Sequence, residues 1–137
     1  MPFTELEHTA DILVRVNASS LEQLFAEAAR AMFSFMHEQR KKGSFSRTLA
    51  LEAADRETLL HDFLSELLYV AEVDNLVFSD VDVSISGSAL AATAYGEPFD
   101  PDVHAEGTEI KGVSYYGLQI RKDEQDHHYR VEILFDV

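Results

Sequence analysis

Apolar residues recur along the chain at two spacings, one typical of strands and the other of helices. Alternating apolar positions predict strands over 11–17 and 49–53, each with one buried face. Apolar residues three and four apart predict a first helix that begins at the N-cap Ser19 and ends at Gly43 with its basic flank. A second helical stripe follows the N-cap Asp55, and its width indicates a helix that lies across a sheet.

The second half of the chain is rich in strand patterns. Period-two alternation predicts strands over 81–86 and 90–94, joined by a tight turn, and two later strands near 110–121 and 128–135. The order strand, helix, strand, helix and then a run of strands favours the α+β class, with a mostly antiparallel sheet system packed with two amphipathic helices. Because no linker, repeat or low-complexity segment interrupts the pattern, we expect a single domain over 1–137.

The segment 96–107 fits neither spacing. It contains two prolines and two glycines, which predict an ordered loop of about a dozen residues. Connections of this length are uncommon in compact domains unless they have a function, so we expect this loop to take part in one.

Composition restricts the location and the chemistry of the protein. The 137 residues include no cysteine, which excludes disulfides, thiolate metal sites and a cysteine nucleophile. The first residues lack the basic start and the apolar run of a signal peptide, and no apolar stretch approaches the roughly 20 residues that a membrane span requires. We therefore expect a cytoplasmic protein without a membrane partner.

The charge balance narrows the classes of partner. The chain has 25 acidic and 11 basic residues, for a formal net charge of −14. Nucleic-acid affinity usually begins with lysine and arginine on phosphates, so we expect no direct, stable binding of RNA or DNA. Cations and proteins with a basic face, such as the substrate groove of a nucleic-acid enzyme, fit this charge better. A simpler interpretation is that the acidity only keeps the protein soluble.

Catalytic signatures are largely missing. The sequence contains no G-x-S-x-G elbow, no phosphate-binding P-loop, no G-x-G-x-x-G and no H-E-x-x-H. We therefore expect an accessory protein that is not itself an enzyme. Two other classes stay open: a small metal-dependent hydrolase that uses His8 or His104 with an aspartate, and a calcium-binding scaffold domain without a catalytic partner.

Acidic residues also mark the two ends of the predicted sheet. Asp11 opens the first clear strand, and Asp136 closes the last one, next to the terminal carboxylate of Val137. If these strands are neighbours, three carboxylates converge, and hard cations prefer oxygen ligands of this kind. The spacing alone favours simpler interpretations, which are a capping role for Asp11 and a solvated chain end for Asp136.

A series of short motifs runs along nearly the whole chain, beginning with Glu-His-Thr-Ala-Asp at 7–11. The segments, in chain order, are 7–11, 20–29, 31–33, 67–69, 96–100 with His104, 110–118 and 135–137. Together they resemble the archease family, which usually has Lys-Ala-Val/Ile-Thr-Tyr where this chain has Lys-Gly-Val-Ser-Tyr at 111–115.

The resemblance implies a non-enzymatic, chaperone-like activator of the GTP-dependent tRNA-splicing RNA ligase. Such an activator promotes guanylylation of the ligase and its multiple turnover. The resemblance also implies an acidic divalent-cation site, with calcium as the expected ion, formed by Asp11, Asp136 and the terminal Val137.

Three further residues are candidate contacts with the partner. The resemblance implies that Lys111 is a functional neighbour of the acidic site. His8 and His104 are added because both stand at predicted loop–strand junctions with acidic neighbours.

Overall fold

The computed structural model describes residues 2–6, 11–125 and 127–137, with no description of the side chains at 5 and 6. The described elements, in chain order, are β1 (Phe3–Leu6), β2 (Asp11–Ala18), α1 (Leu21–Met36), β3 (Phe45–Glu52), α2 (Arg56–Val73), β4 (Leu76–Ser86), β5 (Ala89–Pro98), α3 (Pro101–His104), β6 (Gly112–Val113), β7 (Arg121–Asp123) and β8 (His128–Asp136). The α+β class is confirmed. Over the described ranges, no helix combines the length and the apolar character that crossing a membrane requires.

The strands form two antiparallel sheets. The larger sheet has five strands in the order β1-β2-β8-β6, with β7 also paired to β8. The smaller sheet has three strands in the order β3-β5-β4. The prediction of a mostly antiparallel system is therefore confirmed. It follows that the first and the last long strands, β2 and β8, are direct neighbours.

The two long helices supply much of the core. On α1, the apolar stripe includes Phe25 and Phe33, and on α2 it includes Phe63. The rings of Phe25 and Phe63 lie 5.9 Å apart, and the ring of Phe33 lies 5.7 Å from that of Phe78 on β4. Burying a side chain of this size stabilises the fold by roughly 1.5–3 kcal/mol. Both amphipathic helices were predicted from the spacing.

The ends of α1 differ from the prediction. The N-cap is Ser20, whose hydroxyl accepts a hydrogen bond from the Gln23 amide at 3.1 Å, and not Ser19. The helix ends at Met36 instead of continuing to Gly43, because His37 has extended backbone angles. The N-cap of α2 was predicted correctly.

The strand predicted near 110–121 is also partly wrong. Only Gly112–Val113 pairs with β8 there, and Arg121–Asp123 forms β7, which extends past the predicted end at 121. Between them the chain turns at Gly117, whose positive φ of 66° is incompatible with a continuous strand. The predicted loop 96–107 is shorter than expected, because β5 continues through its first residues and α3 occupies part of the rest.

Candidate functional site

The pairing of β2 with β8 brings Asp11 and Asp136 together. The two residues are Cα partners in the antiparallel register. Along β2 the buried positions start at Ile12 and alternate, so Asp11 lies on the outward face of the sheet. Side chains that are directly opposite in such a pair have their Cβ atoms roughly 4.5–5.5 Å apart. The two predicted cation ligands therefore lie on one face of the sheet, at the end where β2 begins and β8 ends. We call this end of the sheet, with Asp11, Asp136 and Val137, the acidic edge.

The short strand β6 extends this arrangement on the other side of β8. Gly112 is the Cα partner of Asp136, and the Lys111 amide donates a hydrogen bond to the Asp136 carbonyl at 2.7 Å. A Cβ atom at Gly112 would lie 3.5 Å from Oδ2 of Asp136, an ordinary contact distance. The Asp136 carboxylate therefore lies beside Gly112, and the terminal carboxylate of Val137 follows it by one residue.

Neighbouring positions on the same two strands carry a compensated pair. Arg15 and Glu132 are cross-strand partners on the same outward face, and their side chains form an ion pair at 3.1 Å. Within the described ranges, the Asp136 side chain makes no such ion pair. Like charges directly opposite each other are destabilising. The cross-strand partners Asp11 and Asp136 therefore differ from Arg15 and Glu132 in carrying charges of the same sign.

The donor set has the chemistry that a hard cation requires. Calcium takes six to eight oxygen ligands, and Asp11, Asp136 and the terminal carboxylate of Val137 offer oxygen atoms alone. Residues 2–6, 11–125 and 127–137 do not bring three or more His, Asp or Glu side chains together in a metal-binding group. A cation held by the two aspartates would therefore depend on the chain terminus, backbone oxygens and water for its other ligands.

A groove of about 890 Å³ begins next to this edge. It lies between α2 and the segment 99–112, and its lining includes the end of α1 at Met36, the exposed Tyr69 on α2, and Lys111. Lys111 and Gly112, next to the Asp136 carboxylate, both lie in the lining of this groove.

His104 holds the wall of the groove in place. Its side chain is 1% exposed, and its Nδ1 accepts a hydrogen bond from the Asp100 amide at 2.9 Å. Because Nδ1 accepts, the proton of the neutral ring is on Nε2, which donates to Glu97 at 2.5 Å. The His104 carbonyl accepts a hydrogen bond from Nδ1 of His37 at 2.9 Å. In this conformation His104 could influence a partner only through the loop, and its contact role stays a prediction.

Close backbone contacts tie the loop to α1. The Thr108 amide donates to the Phe35 carbonyl at 2.7 Å, and the Glu38 amide donates to the Glu106 carbonyl at 3.0 Å. Gly107 is required between them, because a Cβ atom there would lie 2.0 Å from the Met36 carbonyl oxygen. The predicted functional loop is therefore built into one wall of the groove.

The segment after β6 is anchored to α2 by an aromatic contact that the sequence patterns did not reveal. His61 and Tyr115 stack with ring centroids 3.7 Å apart, and Nε2 of His61 donates to the Val113 carbonyl at 2.9 Å. Desolvation, together with nearby Asp62 and Asp55, raises the pKa of the Tyr115 phenol. These contacts anchor β6 and the residues after it to α2.

Two residues, His8 and Tyr69, show what the sequence predictions left open at this site. His8 lies outside the described residues, so its predicted contact role is not placed. Tyr69, in contrast, was quoted for the family resemblance but not proposed as a site residue, although it is 61% exposed. An aromatic residue that falls outside the apolar stripe of α2 is the signal that could have identified it.

Comparisons with known proteins agree with one another. The model of the Archease protein family (MTH1598/TM1083) matches residues 3–137. The protein archease of Methanopyrus kandleri is 36% identical over 129 residues, covering 90% of this chain and 92% of that protein. The solution structure of Methanobacterium thermoautotrophicum protein 1598 matches with a TM-score of 0.81 at 25% identity, over 99% of both chains.

A second solved structure has the same fold. It is the crystal structure of an archease, described as a possible chaperone, from Thermotoga maritima, with a TM-score of 0.70 at 21% identity over 96% of this chain and 94% of that one. None of these descriptions names a catalysed reaction.

Proposed function

Because this chain belongs to the archease family, we propose that it is a chaperone-like activator of a GTP-dependent tRNA-splicing RNA ligase. In this proposal the protein promotes guanylylation and multiple turnover of the ligase, and the ligase performs the chemistry. The observation that carries the proposal is the pair of cross-strand carboxylates at Asp11 and Asp136, beside β6 and the preceding Lys111.

A divalent cation, with calcium as the expected ion, is the ligand that we propose for this edge. Asp11, Asp136 and the terminal carboxylate of Val137 would hold it, and water would complete its oxygen shell. When bound, the cation would neutralise the acidic edge and fix the end of β8 relative to β2. The backbone hydrogen bond from Lys111 to Asp136 supports this proposal, because it links the residue before β6 to the same edge at 2.7 Å.

The net charge supports a protein partner over an RNA partner. With a formal charge of −14, the protein repels phosphate backbones but attracts a basic groove, such as the one an RNA ligase needs for its substrate. Within such a contact, Lys111 is a cation in acidic surroundings that could reach a phosphate or a carboxylate of the ligase. The neighbouring groove, with the exposed Tyr69, offers a concave surface for a segment of the partner.

A ligation time course with the ligase limiting tests the proposal. We expect wild-type protein to convert a single-turnover reaction into a multiple-turnover one, and Asp136→Ala to lose most of this effect. Glu132→Ala is the matched control, because Glu132 lies on the same strand and face but forms an ion pair with Arg15. Lys111→Ala tests the contact role separately.

The outcomes are distinguishable. If the wild-type protein leaves the ligase at a single turnover, the activator proposal fails. If the protein activates the ligase but Asp136→Ala and Glu132→Ala behave alike, the activator role holds and the acidic edge is not required for activation. If Lys111→Ala alone equals the wild type, only the role of that lysine is lost.

A further inference from the structure

Three arginines converge on the outward face of the five-stranded sheet, at the end away from the acidic edge. A groove of about 260 Å³ is lined by Arg15, Arg121 and Arg130 together with Gln119 and Glu132. We call it the arginine groove. Arg130 is six residues along β8 from Asp136, which corresponds to a separation of roughly 20 Å. The same face thus has carboxylates at one end and guanidinium groups at the other.

The strand register brings two of these cations directly together. Arg121 on β7 and Arg130 on β8 are Cα partners, an arrangement of like charges that is destabilising by itself. Nη2 of Arg121 donates to Oε1 of Gln119 at 2.9 Å, which holds that guanidinium at the rim. Arg130 makes no hydrogen bond or ion pair through its side chain with any described residue.

Glu132 balances only one of the three positive charges in the lining. Arg15 is paired with Glu132 at 3.1 Å, which leaves Arg121 and Arg130 as two formal positive charges in the lining. Asp123 lies two residues beyond Arg121 on the same face, opposite His128. The protein has only 11 basic residues against 25 acidic ones, so a concave site lined by three arginines is a local reversal of its overall charge.

We propose that the arginine groove binds a compact phosphate-bearing ligand of one to three phosphoryl groups. Guanidinium groups form paired, charge-assisted hydrogen bonds with phosphate oxygens, and two opposed arginines can hold one phosphoryl group from both sides. The volume of about 260 Å³ suits a small polyphosphate. A long nucleic acid would extend beyond the groove over acidic surface, which repels its further phosphates. The proposal is independent of the ligase partner.

Calorimetric titration with inorganic pyrophosphate tests the site. Chloride at matched ionic strength serves as the reference for general salt effects. We expect the double variant Arg121→Gln, Arg130→Gln to bind pyrophosphate at least tenfold more weakly than the wild type. The control is Arg47→Gln, because Arg47 lies on β3 of the other sheet and is paired with Asp74 at 2.8 Å. This control should keep wild-type affinity.

Urea denaturation without ligand checks that the Arg121→Gln, Arg130→Gln double variant is folded. Removing the opposed arginines should leave the urea midpoint unchanged or slightly higher, because a repulsion is lost. The proposal is overturned if wild type binds pyrophosphate no better than chloride, or if the double variant binds it as tightly as the wild type. A further titration of the wild type uses a short single-stranded RNA without terminal phosphates. Tighter binding of that RNA than of pyrophosphate would also overturn the proposal, because the ligand would then be a nucleic acid.

Discussion

Two cross-strand charge pairs on β2 and β8 have opposite character. Arg15 and Glu132 carry opposite charges and form an ion pair at 3.1 Å, whereas Asp11 and Asp136, nearer the end of the same ladder, carry like charges. An exposed ion pair contributes about 0–1 kcal/mol to stability, and a like-charge cross-strand pair subtracts a similar amount. The first pair is compensated by its own ion pair, whereas the second is the pair at which we propose a bound cation. On this proposal, one face of the sheet carries a structural pair and a binding pair.

A large effect on cation binding is expected from altering the chain end. Deleting Val137, or adding a tag after it, should remove or displace the terminal carboxylate and weaken cation binding about tenfold, an effect of about 1.4 kcal/mol. An N-terminal tag of the same sequence is the control. Calcium titration by calorimetry measures the effect, and equal affinities for the two tagged proteins would show that the terminus is not a ligand.

The substitution Asp136→Arg should convert the acidic edge into a copy of the structural pair. An arginine opposite Asp11 can form a cross-strand ion pair, and the neighbouring Gly112 leaves room for it. We expect calcium binding to fall below detection while the free energy of unfolding rises by up to about 1 kcal/mol. Urea denaturation and calcium titration on the same sample measure both quantities. Retained calcium binding would mean that Asp136 is not a ligand.

Neutral isosteres should give effects of opposite sign at the two pairs. Without added cation, Asp136→Asn removes a repulsion and should stabilise the protein by about 0.5 kcal/mol. Glu132→Gln removes an attraction and should destabilise it by up to about 0.5 kcal/mol. Urea midpoints in the presence of a chelator give both values. A loss of stability in both variants would show that the Asp11/Asp136 pair is already compensated within the protein.

A smaller effect is expected at Asp80, which also has a cationic partner. Burial would raise the pKa of the Asp80 carboxyl, but the hydrogen bond from Nε of Arg30 at 2.8 Å and other favourable contacts outweigh it, so the pKa is lowered. A lowered folded-state pKa stabilises the protein above the unfolded value of about 3.9 and loses that contribution as the pH falls through the folded value. The destabilisation caused by Asp80→Asn should therefore shrink between pH 7 and pH 3. Urea midpoints of both proteins test this.

Local patterns were sufficient to predict the elements but not every boundary. The alternation that starts at Ile12 and the capping aspartate Asp55 are both confirmed, because each depends on residues within one or two turns. The end of α1 was wrong because His37 leaves the helix for a hydrogen bond with His104, which is 67 residues away in the chain. Propensity near Gly43 contains no information about that contact.

The candidate site depends on register, which is a non-local property. The sequence placed Asp11 and Asp136 at strand ends, and only the β2–β8 ladder shows that they are direct partners. For the same reason the opposition of Arg121 and Arg130 was not predicted, since it follows from how β7 pairs with β8. The family resemblance supplied the expectation about Asp11 and Asp136 that the spacing alone did not favour. The resemblance itself is confirmed over residues 3–137.

The measurement that tests the binding role of the acidic edge most directly is the effect of calcium on the unfolding free energy of the wild type and of Asp11→Asn, Asp136→Asn. A ligand that binds only the folded state at about 100 times its Kd stabilises it by about 2.7 kcal/mol. We predict an increase of this order for the wild type and little or none for the double variant, which should be the more stable protein when a chelator is present. Equal increases in the two proteins would contradict the assignment of the cation to these carboxylates.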